Sequence, residues 1–312
     1  MPASRFPRVA IVGAGAVGSS IGRALHECGY PVVSVISRTG RDAVSLAREV
    51  KCRRASTEIG DLPAEAEILL LTVPDGSIAE VAVQVSKLKS LKFAGLFAAH
   101  CSGVHSADIL RPLRRRGTLV ASMHPIQTFP GRASRSGRRA GFRGIYFGIE
   151  GEEEALKRAQ RVVSDLGGRA LVIAKELKPL YHAACVFASN YMMVQLNAIS
   201  ELTGRIGTRV PWHELFGPLM AATIENAVRT SPAASLTGPV IRGDFSTVDL
   251  HLDALSAYAP EFLPLYISTG MEVARVGRER ESISPKEFSQ LIGRFRKFLK
   301  GRTLKNPRKE TR

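Results

Sequence analysis

Short apolar runs alternate with stretches of helical period through the first half of the chain, and the texture changes near Lys175. RVAIVGAG reads as a first strand, PVVSVISR as a second, and the residues around Arg54 to Ser56 as a short third. EILLLTVP, GLFAAHCSG and TLVASMHPIQTF follow as the fourth, fifth and sixth. Between them AVGSSIGRALHECG, GRDAVSLAREV and SIAEVAVQVSKL place apolar residues at helical spacing. GIYFGIE and RALVIA add strands on either side of the helix EEALKRAQRVVSDLG. Strand and helix in alternation predict an α/β fold, a doubly wound sheet covered on both faces.

Beyond Lys175 strand patterns become rare. ELKPLYHAACVFASNYMMVQLNAISELTGRIG reads as one long helix, and further helical stretches run to about residue 300. The expected organisation is a dinucleotide-binding domain over 1–175, a helical domain over 176–300 and a basic tail, 301–312, expected to lack structure.

Composition narrows the class. The chain has 312 residues, 45% of them hydrophobic and 23% charged, as in a soluble globular enzyme. No apolar stretch reaches the roughly 20 residues that span a bilayer, and MPASRFPRVAIVGAG lacks the pattern of a signal peptide. A cytoplasmic protein without a membrane partner is expected. The four cysteines form no C-x-x-C pair, and the seven histidines no H-E-x-x-H pair, so neither disulfides nor a metal are expected. The net charge of +16 gathers in RPLRRR, in the loop 131–144 and in the tail. Without interleaved aromatic residues these read as solvated faces rather than as a nucleic-acid surface; the loop is either a lid over an anionic ligand or a solvated insertion.

One motif decides more than composition does. Gly13, Gly15 and Gly18 form G-x-G-x-x-G between a strand and a helix. Gly13 permits a tight turn, Gly15 lets backbone approach a pyrophosphate, and Gly18 lets helix and sheet pack closely. The first N–H groups of the helix, at Ala16 and Val17, then face the phosphates. Where NAD-binding proteins carry an acid at the end of the second strand, this chain has Ser37, Arg38 and Thr39, with Arg41 close by. Two hydroxyls and a guanidinium suit a 2′-phosphate, so NADP(H) is the expected cofactor. Val73 and Pro74, at the end of the fourth strand, are expected to flank it.

Further stretches suggest the substrate end. His100, Ser102 and Gly103 end the fifth strand; His124 and Gln127 end the sixth. Each histidine is either a core residue or a ligand contact, while Ser102, His124 and Gln127 are the expected substrate contacts. Cys101 reads as core. In KPLYHAACVFASNY, His182, Ser189 and Asn190 fall near one helical face, which suits a proton donor with two orienting groups. Arg242, in LTGPVIRGD, is available to a substrate carboxylate or paired with Asp244.

Together VAIVGAGAVG, TVPD, HCSG, HPIQTF, YHAACVFASNY, TIENA and LTGPVIRGD resemble the signatures of Rossmann-like oxidoreductases with a C-terminal domain of unknown function, DUF2520. That group is similar to ketopantoate reductases, pyrroline-carboxylate reductases and F420-dependent NADP oxidoreductases. The resemblance implies an NADP-linked reductase of a small 2-oxo acid or cyclic imine. It also implies a helical domain of the 6-phosphogluconate-dehydrogenase type that pairs two chains into a homodimer. Ketopantoate reductases carry a helix lysine with asparagines one and two turns on. Matched to that pattern, His182 stands near the lysine and Asn190 two turns beyond, while Val186 replaces the intervening asparagine. Lys178, one turn earlier, is the alternative proton donor. A non-catalytic NADP(H) sensor is the competing reading.

Overall fold

A computed structural model describes residues 6–129 and 141–300. The chain divides into two compact units, Met1–Tyr191 and Met192–Arg312.

Among the described residues the first unit has eight strands: β1 (Val9–Val12), β2 (Val32–Ile36), β3 (Ala55–Ser56), β4 (Ile68–Leu71), β5 (Phe97–His100), β6 (Leu119–Pro125), β7 (Tyr146–Gly151) and β8 (Arg169–Val172). They lie in the order β3-β2-β1-β4-β5-β6-β7-β8. Neighbours from β3 to β6 run parallel, so their carboxyl ends share one edge of the sheet. β7 reverses direction and pairs antiparallel with β6.

Helices α1 (Ala16–Glu27), α2 (Gly40–Glu49), α3 (Asp75–Ser86), α4 (Arg111–Arg114) and α5 (Glu153–Asp165) join the strands. The nearly continuous apolar runs are what a sheet buried on both faces demands. Alternate residues of each strand feed different cores. Ile11, Val35, Leu70, Ala99 and Met123 pack with Ile21, Leu25, Leu46 and Val162 from α1, α2 and α5. Ala10, Val12, Leu69, Leu71, Ala98 and Val120 pack with Ile78, Ala82 and Leu113 from α3 and α4.

The long helical pattern after Lys175 is broken. α6 (Lys178–Val186) passes into a π turn at Phe187–Tyr191, and α7 (Met192–Ile206) opens the second unit. That unit continues through α8 (Trp212–Arg229), α9 (Pro232–Ser235), α10 (Phe245–Tyr258), α11 (Leu263–Glu279) and α12 (Pro285–Lys300). Its core gathers Val248 and Leu252 of α10, Ile267 and Ala274 of α11, and Leu291 and Phe295 of α12. Gly270 admits Phe295, whose Cζ would lie 2.7 Å from a Cβ at that position. α8, by contrast, has no buried residue. The basic tail and residues 131–140 of the Arg-rich loop lie outside the described residues. Among the described residues no helix is long and apolar enough to cross a membrane.

Candidate functional site

The glycine loop has the geometry its sequence predicts. Gly13 adopts φ +107°, and a Cβ there would lie 2.6 Å from the carbonyl carbon of Thr72. A Cβ on Gly18 would lie 2.0 Å from the Gly13 oxygen. The Gly13 amide donates to Ile36 O at 2.7 Å, and Thr72 Oγ1 donates to Gly13 O at 2.5 Å, so β2 and β4 clamp the loop from both sides. A Cβ on Gly15 would meet nothing within 4 Å; this is the open face. Gly15 caps α1, and Gly15 and Ala16 are exposed, so the first helical N–H groups face solvent where an anion would bind. No acidic residue stands in this first turn to repel one. The residues present therefore fit a dinucleotide pyrophosphate.

At the end of β2, Ser37 is buried while Arg38, Thr39 and Arg41 are exposed. Thr39 precedes α2 without its hydroxyl capping the helix, and neither arginine forms an ion pair among the described residues. Hydroxyls and guanidinium groups thus remain available to a ligand. Val73 is half-buried and Pro74 exposed at the end of β4, where Pro74 precedes α3.

The carboxyl ends of β5 and β6 carry a polar cluster closed by α6. His100 is fully buried; its Nδ1 accepts from the Ser102 amide at 3.2 Å and its Nε2 bonds Ser106 O at 3.1 Å. Burial holds its imidazole down at about 4, so it is neutral and organises the turn that follows. Within that turn the Ser102 hydroxyl donates to Asp75 Oδ2 at 2.9 Å and accepts from the amides of Val104 and His105. The Ser102 hydroxyl is thereby spent inside the protein, and this residue anchors the turn rather than presenting a free group to substrate.

His124 and its neighbours form the centre of the cluster. Its Nδ1 shares a 2.7 Å hydrogen bond with the Tyr181 hydroxyl, and its ring stands edge-on to His182, with centroids 5.8 Å apart. Burial, then the nearby His182 and Lys178, hold His124 down at about 4. Tyr181 is pushed up by burial and by Cys185, so its phenol stays protonated. Two glycines make room for these rings. A Cβ on Gly103 would lie 2.4 Å from His182 Cδ2 and 3.1 Å from His124 Nε2. Gly148, paired with His124 across β6 and β7, would meet the Tyr181 oxygen at 2.4 Å. Lys178 is completely buried, and its Nζ donates to Ser122 Oγ at 2.7 Å.

Other expected site residues lie elsewhere. Gln127 is exposed and its Oε1 accepts from the Thr128 amide at 2.8 Å, so it closes its own turn. Ser189 and Asn190 fall within the π turn, with Ser189 Oγ 3.5 Å from Asn190 Oδ1. A π turn takes more residues per revolution than an α turn. It therefore holds Ser189 short of the His182 face and brings Asn190 nearer to it. Arg242 is exposed in the second unit and forms no ion pair with Asp244 among the described residues. Asp244 instead caps α10, accepting from the Thr247 amide at 3.1 Å. Burial pushes the Cys101 thiol up to about 12, consistent with a core residue. Among the described residues no three His, Cys, Asp or Glu side chains are grouped to hold a metal.

Sequence reasoning missed Tyr181, Ser122 and Gly148. Ser122 and His124 sit two apart in an otherwise apolar strand, and Lys178 and Tyr181 three apart in a helix. Those spacings already placed each pair on one face.

Comparison with known proteins identifies both halves. A Rossmann-like domain matches residues 3–125 and the domain of unknown function DUF2520 matches residues 145–273, the two domains that the motifs resemble. No curated protein matches the chain by sequence. Among solved structures, a Bacteroides fragilis protein assigned as an NADP oxidoreductase is 22% identical with a TM-score of 0.74, over 86% of this chain and 98% of that one. A Thermotoga maritima protein is 25% identical with a TM-score of 0.63, over 88% and 99%. An imine reductase from Pseudomonas sp. is 18% identical with a TM-score of 0.57, over 95% of each chain. These similarities are similarities of fold.

Proposed function

We propose that this chain, which combines a Rossmann-like domain with a DUF2520 domain, is an NADP(H)-dependent oxidoreductase that reduces a small 2-oxo acid or cyclic imine. One observation carries the reading. The glycine loop and the His124–Tyr181–His182 cluster stand at the carboxyl ends of β1, β5 and β6, on one edge of one sheet, where open α/β sheets bind ligands. The assignments of the Bacteroides and Pseudomonas neighbours agree with it.

NADPH, when bound, supplies the hydride. Gly13, Gly15 and Gly18 admit its pyrophosphate to the start of α1, where the amides of Ala16 and Val17 neutralise charge. Ser37, Arg38 and Thr39 hold the 2′-phosphate, and Val73 and Pro74 line the path between. His182 gives a proton to the substrate oxygen or nitrogen as the carbon is reduced. His124, kept neutral by burial, fixes the neighbouring ring and the Tyr181 hydroxyl. Asn190 orients the substrate. His182 is preferred to Lys178 as the donor, a preference supported by the burial of the Lys178 amine.

The test is NADPH oxidation by purified protein across 2-oxo acids and cyclic imines, beginning with ketopantoate. One compound should turn over, and His182→Ala should lose that turnover while still binding NADPH. Bound NADPH with silence across the panel would favour the non-catalytic sensor instead.

The second unit supports a homodimer. In the single chain Leu215, Leu219, Ile224 and Val228 of α8, with Met193, Val194 and Ile206 of α7, are exposed. Apolar surface on this scale calls for a partner, and a second copy presents the same surface.

A further inference from the structure

Lys178 is an anomaly in the first unit. A lysine with none of its side chain exposed ordinarily sits against a carboxylate, yet Lys178 forms no ion pair among the described residues. Its Nζ instead donates to Ser122 Oγ at 2.7 Å and approaches Ser102 O at 3.5 Å. Ser122 Oγ also donates to Ser102 O at 3.2 Å. The three groups close a small ring linking the first residue of α6, the middle of β6 and the turn after β5.

From Ser102 the links continue. Its hydroxyl reaches Asp75 Oδ2 at the start of α3, and its amide reaches His100. The next residue is Gly103, whose backbone is the surface against which His124 and His182 rest. Ser102 thus stands one residue from the backbone on which the two rings rest. Burial lowers the pKa of the Lys178 amine, opposed by the charges of Glu150 and Asp75.

We propose that Lys178 is a positioning residue, which pins the 101–106 turn to β6 through Ser122 and Ser102 and so sets how His124 and His182 face the reacting atom. This rests on the reductase reading above, but its first consequence is visible without turnover. Lys178→Met keeps the length and loses the donor, and Ser122→Ala breaks the ring from the opposite side. His124 is faced by Tyr181, His182 and Lys178 from α6 and by Asp75 from α3. Its imidazole, at about 4 in the intact protein, reports the arrangement.

The experiment follows the imidazole titration by NMR in the wild-type protein and both variants, with melting temperature and NADPH affinity measured alongside. The expected result is folded variants with unchanged NADPH affinity, in which the His124 pKa climbs toward its ordinary 6.5 in Ser122→Ala, where the Lys178 amine is kept; in Lys178→Met loss of that nearby charge alone raises it. With the substrate that the panel identifies, kcat should fall about 100-fold while KM for NADPH holds, the scale of a misplacement of about 1 Å. A His124 titration matching wild type in Ser122→Ala, with 101–106 amide resonances matching wild type in both variants, would overturn the proposal. Should the wild-type protein reduce nothing, the reductase reading falls, and the titration still decides the role of Lys178.

Discussion

A methyl group on residue 103 would sit 2.4 Å from His182 Cδ2, and one on residue 18 would sit 2.0 Å from the Gly13 carbonyl oxygen. The two contacts look alike and have different consequences. The His182 ring is the end of a side chain and can swing about χ1 at modest cost, whereas the Gly13 carbonyl belongs to a loop fixed from β2 and β4. Gly103→Ala should therefore melt within about 4 °C of wild type and bind NADPH normally, with kcat reduced about 100-fold as His182 is pushed aside. Gly18→Ala should lose NADPH binding itself, because the loop has to move. Thermal melts and fluorescence titration of NADPH separate these outcomes. Normal turnover in Gly103→Ala would mean that the His182 position is not critical.

On the proposed function, the turn between β2 and α2 is where NADPH and NADH are told apart. Arg38 is exposed and without an ion pair, and the hydroxyl of Thr39 leaves the start of α2 uncapped. A hydrogen bond to a charged group contributes about 1.5–3 kcal/mol, so Arg38→Ala should weaken NADPH binding by about 10-fold or more. NADH lacks the 2′-phosphate and should bind the variant as it binds wild type. Equal loss for both would place Arg38 away from the ribose. This turn, like the glycine loop, was legible in the sequence, because both depend on local backbone geometry and short spacing. The strands were legible for a similar reason, since runs such as EILLLT leave little alternative. The π turn at Phe187–Tyr191 was not, because apolar residues continue through it at helical spacing. Nor was the bond between His124 and Tyr181, which spans 57 residues. It depends on β7 returning antiparallel and setting Gly148 opposite His124, a register that no local pattern encodes.

At the scale of the molecule, the second unit presents two kinds of helix. α10, α11 and α12 bury Leu252, Ile267 and Phe295 in a common core, whereas α8 buries none of its residues. Ile224 is 54% exposed and Val228 81%, four residues apart on one side of α8. Burying an isoleucine or valine side chain contributes about 1.5–3 kcal/mol, so a partner that covered these two would add to the stability of α8. If the partner is a second copy, the protein should sediment as a dimer of about twice 33.8 kDa. Replacing both residues by glutamate places charges across the interface and should shift the population to monomer. Far-ultraviolet circular dichroism should be unchanged, since neither side chain supports the α10–α12 core. The glycine loop belongs to the other unit, so the monomer should retain NADPH binding. Sedimentation at several concentrations is the deciding measurement. A wild-type protein that stays monomeric well above micromolar concentration would remove the homodimer and leave the apolar face of α8 to a partner of a different kind.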